Sequence, residues 1–474
     1  MTTSTRPSRV PLLRRWLDER RDRNDQRDQG HVLDYVDQAM FLGLRATGQA
    51  AVMQFGWVYE HPVDMDGLRR FHYNFGHGLG GRQIEPSVLP FGRHRWVSAL
   101  GPPAPIRMYE TVRPRSELGD FLDEHAQIPV DPEFGPTWHM GVQPLDDGAT
   151  VVSLVGSHCI ADGGGAMLTV FESVTGQRRD LGLPQPQSRS RWGAVRADLR
   201  QSFRDMPELG RSIKSAAKQA YQKRSELRRS GKSPAAHLDS ASAKENLVVP
   251  AIFAFIDAAE FEARAKALGG NSYALIAGFA ARLSERMGRF SEAEGVVPLV
   301  VPINDRTLED TRANAVLIGD ARVNPKGVTE DLTETRAVVK EALRKMREEP
   351  DEKLELLPLT PFIPKRAVTQ AADIAVGFGE LPVFCSNLGV LPDDLARVDG
   401  TPAEYVMARG VDGQVPRGVL EHRKGILTVI SMQMIGRVSM AIIGYQPGAE
   451  NTKATLRAHV EATLAEFGLS AVYE

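Results

Sequence analysis

Thr150-Val151-Val152-Ser153-Leu154-Val155-Gly156-Ser157-His158-Cys159-Ile160-Ala161-Asp162-Gly163-Gly164-Gly165 is the most informative stretch of the chain. Residues 150–156 are an apolar run of strand length. Asp146-Asp147-Gly148 before them is a hairpin turn signal, and His139–Leu145 is the other strand-like arm. After the glycines, Ala166–Val174 reads as an apolar helix. A buried strand therefore runs directly into a turn bearing histidine, aspartate and three glycines. A histidine at a strand end can offer one ring nitrogen to a cavity, and the ordinary imidazole pKa of about 6.5 suits it to take and return a proton. Asp162 is too near in the chain to be assumed to orient the ring. A buried carboxylate needs a partner, so a buried cation that pins the loop is expected. Gly163, Gly164 and Gly165 allow close packing against the strand or a ligand. The spacing alone fits equally a satisfied core histidine, with Asp162 merely capping the next helix.

Outward from this stretch, strands and helices mix in both directions. Asp37–Leu42 begins a helix or turn, Ala51–Glu60 reads as a strand, and Met65–Leu79 has apolar residues at helical spacing. His72 and His77 have no matching ligand cluster, so no metal is expected. Beyond Pro184 the composition shifts. Arg189–Lys232 holds 13 basic and 4 acidic residues, a net charge of +9, with Trp192, Val195, Leu199 and Phe203 at helical spacing. That is a long basic amphipathic helix and linker, either a solvated crossover or a contact for an anionic lipid surface or acidic partner. A second globular pattern starts at Asn246. Strands are expected at Leu247–Ile256, Val296–Ile303, Asn314–Val323, Val383–Cys385, Gly425–Gln433 and Arg437–Tyr445. Helices are expected at Ala258–Leu268, Tyr273–Arg289, Leu332–Glu348 and Lys453–Phe467. The chain thus divides into a polar tail (1–30, with Arg14–Asp28 as a solvated helix), a first unit (31–188), a basic linker (189–245) and a second unit (246–474).

Whole-chain properties narrow the classes. With 474 residues, 42% of them hydrophobic, the chain can fill more than one core, since single cores stop growing near roughly 250–300 residues. A net charge of −2 gives no argument for nucleic acid. Two cysteines exclude a disulfide scaffold; Cys159 reads as a small core residue and Cys385 as inert. No apolar run approaches the ~20 residues that span a membrane. No apolar signal core stands at the N-terminus, so a cytoplasmic protein, or one peripheral to a membrane, is expected.

The run from Trp138 through Gly163 resembles the CoA-dependent acyltransferase superfamily. Its members include chloramphenicol and carnitine acyltransferases, peptide-synthetase condensation domains, polyketide-associated acyltransferases and wax-ester synthase/diacylglycerol acyltransferases. Asp37-x-x-x-Phe41-Leu42 resembles the opening of the condensation and wax-ester branches. Asn271 with Gly278–Arg289, Val301-Pro302-Ile303-Asn304-Asp305-Arg306 with Asn314, and Ser386-Asn387-Leu388-Gly389 resemble segments of their second half. The resemblance implies an α/β fold of two similar chloramphenicol-acetyltransferase-like subdomains, each a mixed sheet with flanking helices, with a tunnel between them. It implies His158 as catalytic base, Asp162 and Arg306 as a structural ion pair, and Gly163 presenting backbone to a thioester. Ser157, Asn314, Ser386 and Asn387 would lie near substrate. Ser157 stands where many members have a first histidine. The implied reaction moves an acyl group from acyl-CoA or an acyl-carrier protein to an alcohol, forming an ester in lipid or secondary-metabolite biosynthesis, with no tightly bound cofactor. A stand-alone condensation enzyme making an amide on an amine, and a non-catalytic lipid- or carrier-binding relative, are the alternatives.

Overall fold

The computed structural model describes residues 31–227, 244–290, 295–348, 354–364, 381–413 and 415–474. The tail 1–30, with the helix expected at Arg14–Asp28, lies outside them, as does the end of the basic segment from residue 228.

Helix α1 (Tyr35–Thr47) starts where the Asp34 carboxylate accepts the Val36 N–H and stops at Gly48, whose φ of 72° is left-handed. It leads into β1 (Ala50–Tyr59) and α2 (Met65–Phe75). The sequence extends that helix to Leu79, but it ends at Phe75. A Cβ on Gly76 would come within 2.3 Å of the Gly101 backbone, so this glycine marks a close chain approach where the helix gives way. Short strands β2 (Arg82–Glu85), β3 (Arg95–Ser98) and β4 (Arg107–Met108) and helix α3 (Leu118–Ala126) follow. Then comes the expected hairpin, β5 (Trp138–Pro144) and β6 (Thr150–Ser157), antiparallel over its whole length. Helix α4 (Gly163–Val174) closes the first half, and α5 (Arg191–Leu227) is a 37-residue helix over most of the basic segment.

In the second half, the expected strand Leu247–Ile256 is two strands. Pro250 cannot donate to a ladder. β7 (Asn246–Leu247) pairs with β13 (Val415–Pro416), and β8 (Ala251–Asp257) enters the large sheet. Helices α6 (Ala258–Ala267) and α7 (Ser272–Arg286) follow, the second capped by Asn271. Next are β9 (Val297–Asn304), β10 (Val316–Val323), α8 (Thr333–Glu348), a 3-10 segment (Leu354–Phe362), β11 (Val383–Val390) and β12 (Tyr405–Gly413). After β13 the chain runs through α9 (Arg417–His422), β14 (Ile426–Met434), β15 (Arg437–Tyr445), α10 (Lys453–Glu466) and β16 (Val472–Tyr473).

Two mixed sheets result, with strand orders β12-β1-β6-β5-β4 and β10-β9-β11-β14-β15-β8-β16. Strand β12 lies beyond residue 400, yet pairs with β1 from Ala50↔Gly413 to Val58↔Tyr405 in the first sheet. The second sheet is covered by the alanine-rich α7, whose Ala274, Ala277, Ala280 and Ala281 are buried in one core with Phe279, Leu299 and Val429. A separate apolar layer joins the sheets, with Phe121 and Val151 from the first half, Phe253 and Ala441 from the second, and Met407 from the crossing strand.

Candidate active site

His158 stands one residue past β6. Its N–H donates to the Ala51 carbonyl (3.0 Å), so it prolongs the β1–β6 ladder, and its own carbonyl accepts from Asn314 Nδ2 (3.4 Å). Side chains on a strand alternate between faces. Gly156 pairs with Met53 and Ser157 with Val52, which puts His158 opposite Ala51, on the face of Met53 and Phe55. That face lines a cavity of about 520 Å³ between the two halves. Phe55, Met40 and Met167 form its walls on one side, and Ile303, Val316 and Leu388 on the other. His158, Asp162, Gly163, Asn314, Ser386 and Asn387 all border it. Ser157, on the other face of β6, does not. It lies at a second, smaller apolar pocket, and its hydroxyl accepts the Cys159 N–H (3.3 Å). Nδ1 of His158 is buried without a hydrogen-bond partner among the described residues.

Asp162 is both a helix cap and half of an ion pair. Its Oδ1 accepts from Gly165 N–H (2.6 Å) and Arg306 Nη2 (3.1 Å), and Oδ2 accepts from Ala315 N–H (2.6 Å). Both ionic side chains are 2% exposed. Arg306 also donates to the carbonyls of Asp310 (3.0 Å), Arg312 (2.8 Å) and Ala313 (3.0 Å), so both Nη groups are satisfied as a buried charge requires, while Nε has no partner among the described residues. Arg306 stays behind the cavity wall and ties the His158 turn to the loop between β9 and β10.

Three charged residues have no assigned role in the sequence reading. Asp37, on the buried face of α1, accepts from the N–H groups of Ala313 (3.0 Å) and Asn314 (2.9 Å) and from Asn314 Nδ2 (3.0 Å). Burial raises its carboxyl pKa, against the pull of Asn314 and Arg82. Arg82 donates to the carbonyls of Thr311 and Ile160, both at 2.6 Å, and burial lowers its pKa to about 10. Asp412 pairs in register with Ala51 and so shares the face of His158, one strand away. In the register Ala51 of β1 lies between them. Burial raises the Asp412 carboxyl, while Arg423 and His158 draw it down. An aspartate on a helix face that is otherwise core signals Asp37; nothing local signals Arg82 or Asp412. Both cysteines are buried and their thiols pushed up to about 12 by burial, which leaves no thiolate nucleophile beside His158.

Neither a family model nor a curated protein matches the chain. Solved structures do. The first condensation domain of the CDA synthetase aligns with a TM-score of 0.54 at 14% identity, over 93% of this chain and 99% of that one. The wax ester synthase/diacylglycerol acyltransferase from Marinobacter aquaeolei VT8 gives 0.53 at 16% identity, over 92% and 98%. Polyketide synthase associated protein 5 from Mycobacterium tuberculosis gives 0.51 at 13% identity, over 92% and 98%. At these identities the likeness is one of fold: two mixed sheets with flanking helices, the architecture that the sequence resemblance implies.

Proposed function

We propose that the protein is an acyltransferase moving an acyl group from a CoA or carrier-protein thioester to an acceptor hydroxyl, with His158 as the general base. One arrangement carries the reading: a histidine held by its main chain on both sides, its ring facing an apolar cavity of about 520 Å³ between the two halves. His158 takes the hydroxyl proton as the oxygen attacks the thioester carbonyl. The tetrahedral intermediate collapses, the C–S bond breaks, and His158 returns the proton to the leaving thiolate, giving ester and free thiol. The apolar walls suit an acyl chain. Gly163 offers backbone to the reacting carbonyl, Asn314 holds the His158 carbonyl, and Ser386 and Asn387 face the substrates from the second sheet. Asp162 and Arg306 act on the loop, not on the substrate. Holding both substrates in one cavity can contribute roughly 7–11 kcal/mol of the acceleration.

The second reading replaces the alcohol with an amine, which the same base would serve; the fold is shared with condensation domains. Both readings place the protein in the cytoplasm or peripheral to a membrane. Among the described residues no helix is long and apolar enough to cross one. The experiment is thiol release from a panel of acyl-CoAs and acyl-carrier proteins, with and without alcohols and amines, products identified by mass. Acceptor-dependent release by wild type, lost in His158→Ala without a change in melting temperature, is expected. No release under any condition would favour a non-catalytic binding protein.

A further inference from the structure

Helix α5 is packed the wrong way out for a crossover. Over residues 191–218 the residues it buries are Ala194, Asp198 and Ser212. Its larger apolar residues, Trp192, Leu199, Phe203, Met206 and Ile213, point to solvent, with Trp192 84% and Phe203 73% exposed. They are spaced seven, four, three and seven residues apart, so they form one stripe, which at ~1.5 Å per residue runs about 30 Å. Two acids of the helix, Asp198 and Asp205, are turned inward. Asp198 accepts from Ser87 Oγ (2.6 Å), Val88 N–H (3.0 Å) and Arg189 Nη1 (2.9 Å), and Asp205 pairs with Arg93 (3.3 Å). The exposed charges of residues 191–218 are mainly basic, Arg191, Arg196, Arg211, Lys214 and Lys218, with the Glu208 side chain, 3.9 Å from Arg211, as the acid that reaches solvent.

We propose that this face of α5 docks on an anionic lipid surface. Burial of the polar side means that packing against the body does not use the stripe. An apolar stripe of this length left in water marks an interaction surface. An apolar row with a tryptophan at one end and basic residues on its flanks fits a surface with negative headgroups, where Trp and Phe sink into the interface and Lys and Arg meet the phosphates. A second copy of the chain fits poorly, because two such faces would set like charges against each other. The docked helix would also stand near the active site. A groove of about 720 Å³ on its flank, lined by Lys214, Lys218 and Leu354 among others, shares Leu354 as a wall with the main cavity. That last consequence rests on the acyl-transfer reading; the docking does not.

The test uses the full chain and vesicles of phosphatidylcholine alone or mixed with phosphatidylglycerol. Wild type should co-sediment with the mixed vesicles at low salt and not with phosphatidylcholine alone. Binding should weaken by about tenfold or more as salt shortens the screening length, and Trp192 emission should shift to the blue. Phe203→Ser with Met206→Ser should abolish binding while melting and thiol release from a short soluble acyl-CoA stay as in wild type. Loss of thiol release in every form would count against the catalytic reading alone. No binding by wild type at low salt, or undiminished binding by the double variant, would overturn the docking. So would a wild-type dimer in light scattering that the double variant dissolves, since a second copy would then be the occupant.

Discussion

At Asp162 a single carboxylate caps α4, receives the Ala315 N–H and pairs with Arg306, all out of water. Removing it leaves the guanidinium buried and uncompensated, so Asp162→Ala should cost roughly 3–5 kcal/mol and lower kcat, measured by chemical denaturation and steady-state rates. A variant as stable as wild type would refute the role. Asp412 makes a subtler contribution, a carboxyl group across Ala51 from His158. It should stabilise the imidazolium that forms during transfer. Asp412→Asn is expected to lower kcat by about tenfold, the equivalent of roughly 1.4 kcal/mol, with KM unchanged; an equal kcat would remove Asp412 from the site. The two aspartates differ in how they can be read from sequence. Asp162 sits four residues from His158 and its neighbourhood is local. Asp412 reaches the histidine only through the register of a strand more than 250 positions away.

Among the elements, the turn from β6 to α4 depends on which glycine faces what. A Cβ on Gly163 would meet Leu388 at 3.4 Å, an ordinary contact, whereas one on Gly164 would lie 2.9 Å from the Asn304 amide. Asn304 Oδ1 accepts the Arg306 N–H (3.0 Å), so the push passes to the ion pair. Gly164→Ala should therefore destabilise by roughly 1–3 kcal/mol, as overpacking does, and Gly163→Ala by less, a comparison that thermal melts of the pair would make. Most elements were legible because one face is apolar and the period is clear, as in β6, β14 and α7. Strand β12 was not. Its Arg409 and Asp412, with Gly410 and Gly413, break the apolar pattern, and no element is expected there from the sequence. The arginine is tolerated because Gln54 Oε1 and Asp123 Oδ1 accept from it, each at 2.7 Å. Those partners come from β1 and α3, which no local pattern can anticipate.

On the scale of the whole molecule, several histidines are folded away uncharged. Burial lowers the pKa of His125 to about 3 and of His139 and His94 to about 4, and His125 and His139 share a contact at 3.2 Å. The unfolded chain takes up these protons below about pH 6.5, while the folded one resists until far lower pH. Stability is therefore complete above pH 6.5 and falls as pH drops through the window down to about 4. Asp37 and Asp412 act in the opposite sense, since their raised carboxyls bind protons more readily when folded. Through the histidines the melting temperature is expected to fall with acidification between pH 7 and 5; a flat profile would contradict this. The crossing of β12 has a different consequence. During synthesis the ribosome releases residues 31–245 long before it makes residues 405–413, and in that interval β1 has one neighbour and one open edge. An open edge invites strands from other chains. The first half is thus an unfinished product until the last quarter of the chain emerges, and a truncated message would yield an aggregating fragment in place of a smaller working domain.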